Sequence, residues 1–227
     1  MLKQLLDQNA VIPAPVIDLN EKKLVQLDLS KNNQELAHLN LNDESAFSTF
    51  ISDQLKGDEI GCGGYAEERS LYSRSELFSS EEPRTVHLGI DLWTAAGTSG
   101  FAPLAGKIHS FSNLAVHGDY GPIIILEHQL ADQKLYSLYG HLSLKSLEGK
   151  RVGQKIKKGQ EFAWLGDYHE NFHWPPHLHF QLMWDLQGNT GDYPGVCKKS
   201  EAKRYLSNCP DPKLLISELP YSKAIFE

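Results

Sequence analysis

Ile123-Ile124-Ile125-Leu126 and, soon after, Leu135-Tyr136-Ser137-Leu138-Tyr139 are two short runs rich in β-branched, aromatic and leucine residues. Runs of this length bounded by turn residues read as strands. Outward from this pair the pattern repeats. Pro103-Leu104-Ala105-Gly106-Lys107-Ile108 precedes it, Val152 to Gln160 leads into Phe162-Ala163-Trp164-Leu165-Gly166, and His177 to Trp184 alternates again. Frequent short strands with glycine turns and few helical stretches predict a mostly β, antiparallel domain. No repeat of fixed period and no low-complexity segment interrupts it.

Residues 1–60 read differently, as an α/β N-terminal extension packed on a main domain of residues 61–227. Pro13 and Pro15 end any early helix, and Leu24-Val25-Gln26-Leu27-Asp28-Leu29 alternates like a half-buried strand. Asn42 or Asp43 can cap a helix carrying Phe47, Phe50, Ile51 and Leu55, with Gly57 as its stop. Gly61-Cys62-Gly63-Gly64 reads as a hinge, and Glu67-Glu68-Arg69 as a solvated turn or a lip of the site.

The 227 residues carry 22 Lys and Arg against 29 Asp and Glu, a net charge of −7. With no compensating basic run, nucleic acid and anionic membrane surfaces are not the expected partners. No stretch approaches the roughly 20 apolar residues needed to span a bilayer. The first residues lack the apolar core and cleavage site of a secretory signal, which predicts a cytoplasmic chain. A chain already trimmed of its leader would read the same and would work in the periplasm or outside the cell. Three cysteines without a C-x-x-C pair predict free thiols, although Cys197 and Cys209 could pair where the compartment is oxidising.

The chemistry lies in three motifs: His87-Leu88-Gly89-Ile90-Asp91, Tyr139-Gly140-His141-Leu142 and Pro176-His177-Leu178-His179. Together they offer enough imidazole and carboxylate for a zinc site one protein ligand short of four, with two imidazoles left over to move protons. A straight strand would hold His87 and Asp91 about 13 Å apart. Both can reach one ion only if the chain bends between them, and Gly89 is the residue that bends cheaply. His177 and His179 share one face of a strand, so one ring can bind an ion while the other reaches a water. His169-Glu170-Asn171-Phe172-His173 fits H-E-x-x-H, but Gly166 and Trp174-Pro175-Pro176 leave no room for the helix that motif requires. His38, His109, His117 and His128 receive no role.

In these motifs, from about Thr85 to Met183, the chain resembles the M23 metallopeptidases, the lysostaphin and LytM-like group. The resemblance implies a barrel-sandwich hybrid with the duplicated hybrid motif. It also implies a zinc metalloendopeptidase, with His87, Asp91 and His179 on Zn2+ and with His141 and His177 as catalytic residues beside the activated water. Either of the last two could be the base. The substrate class it implies is a peptide, including the stem peptides and cross-links of peptidoglycan. The alternative is a non-catalytic LytM-like regulatory or binding module. Such modules lose metal ligands, whereas every expected position is filled here. A phosphocarrier or biotinyl-type domain would leave Asp91 unexplained. Oligomeric state is not encoded in any feature of the chain.

Overall fold

The computed structural model describes residues 2–8, 11–19, 21–40, 43–57, 59–74, 82–116, 118–171 and 173–216. Twelve strands and four short α-helices are found among the described residues. The strands are β1 (Lys23–Leu27), β2 (Glu59–Gly63), β3 (Arg84–His87), β4 (Ile90–Trp93), β5 (Ser99–Phe101) and β6 (Gly106–Leu114). They continue with β7 (Gly121–Leu130), β8 (Gln133–Gly140), β9 (Lys155–Ile156), β10 (Glu161–Trp164), β11 (His177–Met183) and β12 (Val196–Lys198). The helices are α1 (Leu2–Gln8), α2 (Gln34–Ala37), α3 (Glu44–Gln54) and α4 (Ala202–Asn208).

The fold is mostly β, as the strand pattern predicts. Eight strands form one sheet in the order β1-β2-β4-β11-β8-β7-β6-β9, and β10-β5 and β12-β3 form two small ones. The order runs open from β1 to β9, so the described strands do not close into a barrel. Every pair is antiparallel except β1 with β2. That parallel pair carries the stretch before residue 61 into the main sheet, and Leu2, Leu6, Val16 and Ile17 join the same apolar core as Ile90 and Phe180.

Period-2 alternation decides which face of each strand meets that core. On β11, Leu178, Phe180 and Leu182 point into it. Each such buried side chain contributes on the order of 1.5–3 kcal/mol. The intervening His177, His179 and Gln181 are therefore presented together on the other face. On β4, Ile90 and Leu92 lie in the core, which sends Asp91 and Trp93 to the opposite side. The antiparallel register then sets His179 opposite Asp91 and His177 opposite Trp93.

The helix expected after residue 43 is present as α3. Asp43 caps it, its carboxylate accepting the Ser45 N–H at 2.9 Å. The helix ends at Gln54 with Leu55 as its C-cap, so Gly57 is not part of its termination; Asn42 lies outside the described residues. Phe47 is buried and meets the edges of Trp93 and Trp174 at centroid distances of 5.6 and 5.8 Å. The glycine cluster is not a hinge. Gly61 and Gly63 sit inside β2, and a Cβ on Gly61 would come within 2.5 Å of Leu27 Cδ1. Close packing of β1 side chains, not mobility, accounts for glycine there.

Candidate metal centre and active site

The bend predicted between His87 and Asp91 is a change of sheet. His87 ends β3, which pairs with β12, whereas Asp91 lies in β4 of the main sheet. The chain crosses between them at Leu88-Gly89, and this brings His87 Nε2 to 3.2 Å from Asp91 Oδ1. Gly89 serves a further purpose that its spacing did not reveal. A Cβ there would stand 2.6 Å from His179 Nε2 and 2.8 Å from the Phe180 carbonyl.

His179 completes a triangle. Its Nδ1 lies 3.0 Å from His87 Nε2 and 3.1 Å from Asp91 Oδ1. The surrounding bonds fix the tautomers. His87 Nδ1 faces the Gly64 carbonyl at 2.9 Å, which can only accept, so Nδ1 carries the hydrogen and Nε2 a lone pair. Gln181 donates from its amide nitrogen to the Pro194 carbonyl at 3.1 Å, which turns its Oε1 toward His179 Nε2 at 3.0 Å. His179 therefore donates from Nε2 and keeps a lone pair on Nδ1. Two imidazole lone pairs and a carboxylate oxygen converge with no proton among them.

Such a cluster is unfavourable unless a cation sits at its centre. Donors bonded at about 2.0–2.1 Å in a tetrahedron stand about 3.3 Å apart, close to the three edges here. The donor set and its spacing fit a zinc-like ion held by three protein ligands with a fourth corner left open. Burial, and next the Arg69 charge, push the His87 pKa down to about 4, so the ring is neutral and ready to ligate. Burial opposes ionisation of Asp91, yet the Arg69 guanidinium beside it helps hold the carboxyl well below its usual range.

Both remaining predicted residues flank this triangle. His177 hands its Nδ1 hydrogen to the Pro175 carbonyl at 2.7 Å, which leaves Nε2 as an acceptor. His141 follows β8 with a φ of +60°, a left-handed backbone that is costly for a residue with a side chain and typical of functional turns. Its ring centroid lies 4.0 Å from that of His177, and its buried Nδ1 has no hydrogen-bond partner. Burial pushes the His177 pKa down to about 4; burial, then His177 and His179, push that of His141 well below 6.5. Both rings are neutral bases near pH 7.

The five side chains open onto a cleft of about 760 Å³ of free space, walled also by Trp93, Tyr120, Trp174 and Tyr193. Tyr120 places its ring 5.0 Å from that of His179 and 5.7 Å from that of His141. No described residue before Arg69 lines the cleft. The described residues of the H-E-x-x-H segment, His169 to Asn171 and His173, lie in turns, and neither histidine lines the cleft. His128 is a satisfied core histidine between the Ala105 carbonyl and the Ser137 hydroxyl, and His117 lies outside the described residues. All three cysteines are free and buried.

Of the two readings of Glu67-Glu68-Arg69, Arg69 fits the lip of the site and not the solvated turn, since it lines the cleft. Its side chain is 2% exposed and bonds to Asp91 Oδ2 at 2.6 Å and Glu67 Oε2 at 2.7 Å. Its signal in the sequence is faint: a lone Arg just before the apolar pair Leu71-Tyr72.

Residues 85–192 match the family model described as Peptidase family M23. No curated protein matches the chain. Among solved structures, it is similar to the catalytic domain of the antimicrobial peptidase lysostaphin from Staphylococcus simulans, at 28% identity and a TM-score of 0.40. That match covers 59% of this chain and 80% of that one. A zinc containing peptidase from Vibrio cholerae is similar at 26% identity and a TM-score of 0.33, over 43% of this chain and 27% of that one. The matched stretch, residues 85–192, holds all five histidine and aspartate positions of the site.

Proposed function

We propose that this protein is a zinc metalloendopeptidase that hydrolyses peptide bonds, with the cross-links and stem peptides of peptidoglycan as its substrate class. The convergence of three unprotonated donors on one point carries this reading. His87, Asp91 and His179 would hold the ion. When bound, zinc supplies a Lewis acid that makes water nucleophilic near neutral pH and polarises a scissile carbonyl.

The chain's own residues supply the rest. His177 Nε2 takes the proton of the attacking water, its direction fixed by the Nδ1 bond to Pro175. His141, whose side chain lines the same cleft, offers a ring N–H to the oxygen on which charge develops. Proton return from His177 to the leaving amine completes the cleavage. The aromatic walls exclude water and accept the apolar flanks of a peptide. Retention of all five residues speaks for catalysis over a binding module that shares the scaffold.

The test is zinc content together with cleavage of glycine-containing peptides and isolated muropeptides. Wild-type protein is expected to hold one zinc and to cleave, with activity lost to a chelator and restored by zinc. His177→Ala should keep the metal and lose about 100- to 10,000-fold in rate. A wild type that holds no zinc, or that cleaves equally well without it, overturns the proposal.

A further inference from the structure

The segment Gly64–Tyr72 precedes the matched family region, yet it supports two of the three metal-facing side chains. It is strapped onto β3: Ala66 donates to the His87 carbonyl at 2.9 Å, His87 to the Glu67 carbonyl at 3.0 Å, and Arg69 to the Thr85 carbonyl at 2.8 Å. So held, the Gly64 carbonyl fixes the tautomer of His87. Arg69 reaches four acceptors from one guanidinium. Nη1 binds Asp91 Oδ2 at 2.6 Å and the Tyr72 hydroxyl at 3.1 Å, Nε binds Glu67 at 2.7 Å, and Nη2 faces the Gly64 carbonyl at 3.4 Å.

The consequence for Asp91 is specific. A carboxylate beside a divalent ion can bind through one oxygen or both. Here Oδ2 is engaged by a short, charge-assisted bond from Arg69, whereas Oδ1 is the oxygen that stands 3.2 Å from His87 Nε2 and 3.1 Å from His179 Nδ1. Glu67 anchors the guanidinium from behind and is itself held by the Leu29 N–H at 3.1 Å and the Gly64 N–H at 3.3 Å. A lysine could not replace this fork, because its single ammonium has neither the reach nor the planarity to serve these acceptors together.

Resting on the zinc reading above, we infer that Arg69 is a positioning residue, braced by Glu67, that restricts Asp91 to one-oxygen ligation and so keeps the fourth coordination position open for solvent and substrate.

Cobalt(II) in place of zinc tests this, because its visible absorption is strong when four-coordinate and weak when five- or six-coordinate. The wild type is expected to bind one Co2+ with the strong four-coordinate band. In Arg69→Lys, Asp91 is freed to use both oxygens, so the band should weaken, and zinc affinity measured by chelator competition should fall about 10- to 100-fold. Glu67→Gln keeps the guanidinium but loosens its anchor, and should move both readouts the same way to a smaller extent; it decides the matter if Arg69→Lys does not fold. A wild-type band of five- or six-coordinate strength overturns the inference, as do folded variants that keep the wild-type band and affinity. A wild type that binds neither metal instead removes the zinc reading itself.

Discussion

The imidazole of His177 lies face to face with the indole of Trp93, with ring centroids 3.9 Å apart and planes 21° from parallel. The two are direct partners across β4 and β11, so the sheet register itself sets the stack. The contact fixes the plane of the ring proposed to take a proton at Nε2, and the indole face would stabilise the resulting imidazolium. Losing a stack worth about 1 kcal/mol should slow turnover about 5-fold. Trp93→Leu is accordingly expected to lower kcat by that order while bound zinc stays at the wild-type level, in assays well below the unfolding temperature.

Metal content distinguishes the histidines of the two motifs. His87→Ala and His179→Ala each remove one of three converging donors and are expected to emerge from gel filtration without zinc. His169→Ala should retain it, since His169 lies in a turn whose backbone N–H is bonded to the Asp167 carboxylate and is not part of the cleft. Zinc lost on His169→Ala would revive the H-E-x-x-H motif as the ligand set.

Gly89→Ala adds a single methyl group where the His179 ring and the Phe180 carbonyl leave no space. Overpacking of this kind costs about 1–3 kcal/mol. Because the nearest atoms belong to a metal-facing ring, the expected result is a lower urea midpoint together with weakened zinc binding. Normal zinc affinity in the folded variant would show that β11 shifts without disturbing the ligands.

Acid sensitivity has an identifiable source away from the cleft. Burial pushes the pKa of His128 down to about 4, from the ordinary value of 6.5. Between these values the unfolded chain binds a proton that the folded protein refuses. The contribution of His128 to stability is therefore complete above about pH 6.5 and falls as the pH drops toward 4, by about 3 kcal/mol in all. Urea titrations from pH 4 to 7.5 should show a shallower acid decline in His128→Gln than in the wild type. Equal slopes would place the sensitivity elsewhere.

What could be read from the sequence was local. Short apolar runs marked β7 and β8, alternation marked β11, and two-residue spacing put His177 and His179 on one face, because these properties repeat within a few residues. The bend at Gly89 was legible from chain length alone, since His87 and Asp91 could not otherwise meet. Arg69 was not legible. Its partner Asp91 lies 22 residues away, and an Arg among glutamates looks like solvated surface until the fold buries it. The parallel pairing of β1 with β2 left no mark either, because nothing in Lys23–Leu27 names a partner at Glu59–Gly63. Gly61 was misread for the same reason: its cause is a leucine on another strand.

The pairing of β4 with β11 joins Asp91 to a residue 88 positions later in the chain. During synthesis, His87 and Asp91 leave the ribosome long before His179 is made, and two donors alone hold a divalent ion weakly. Long-range pairing of this kind is also slow to form. On the proposed ligand set, metal loading would therefore follow closure of the sheet, and a nascent or truncated chain ending before β11 lacks one of the three donors.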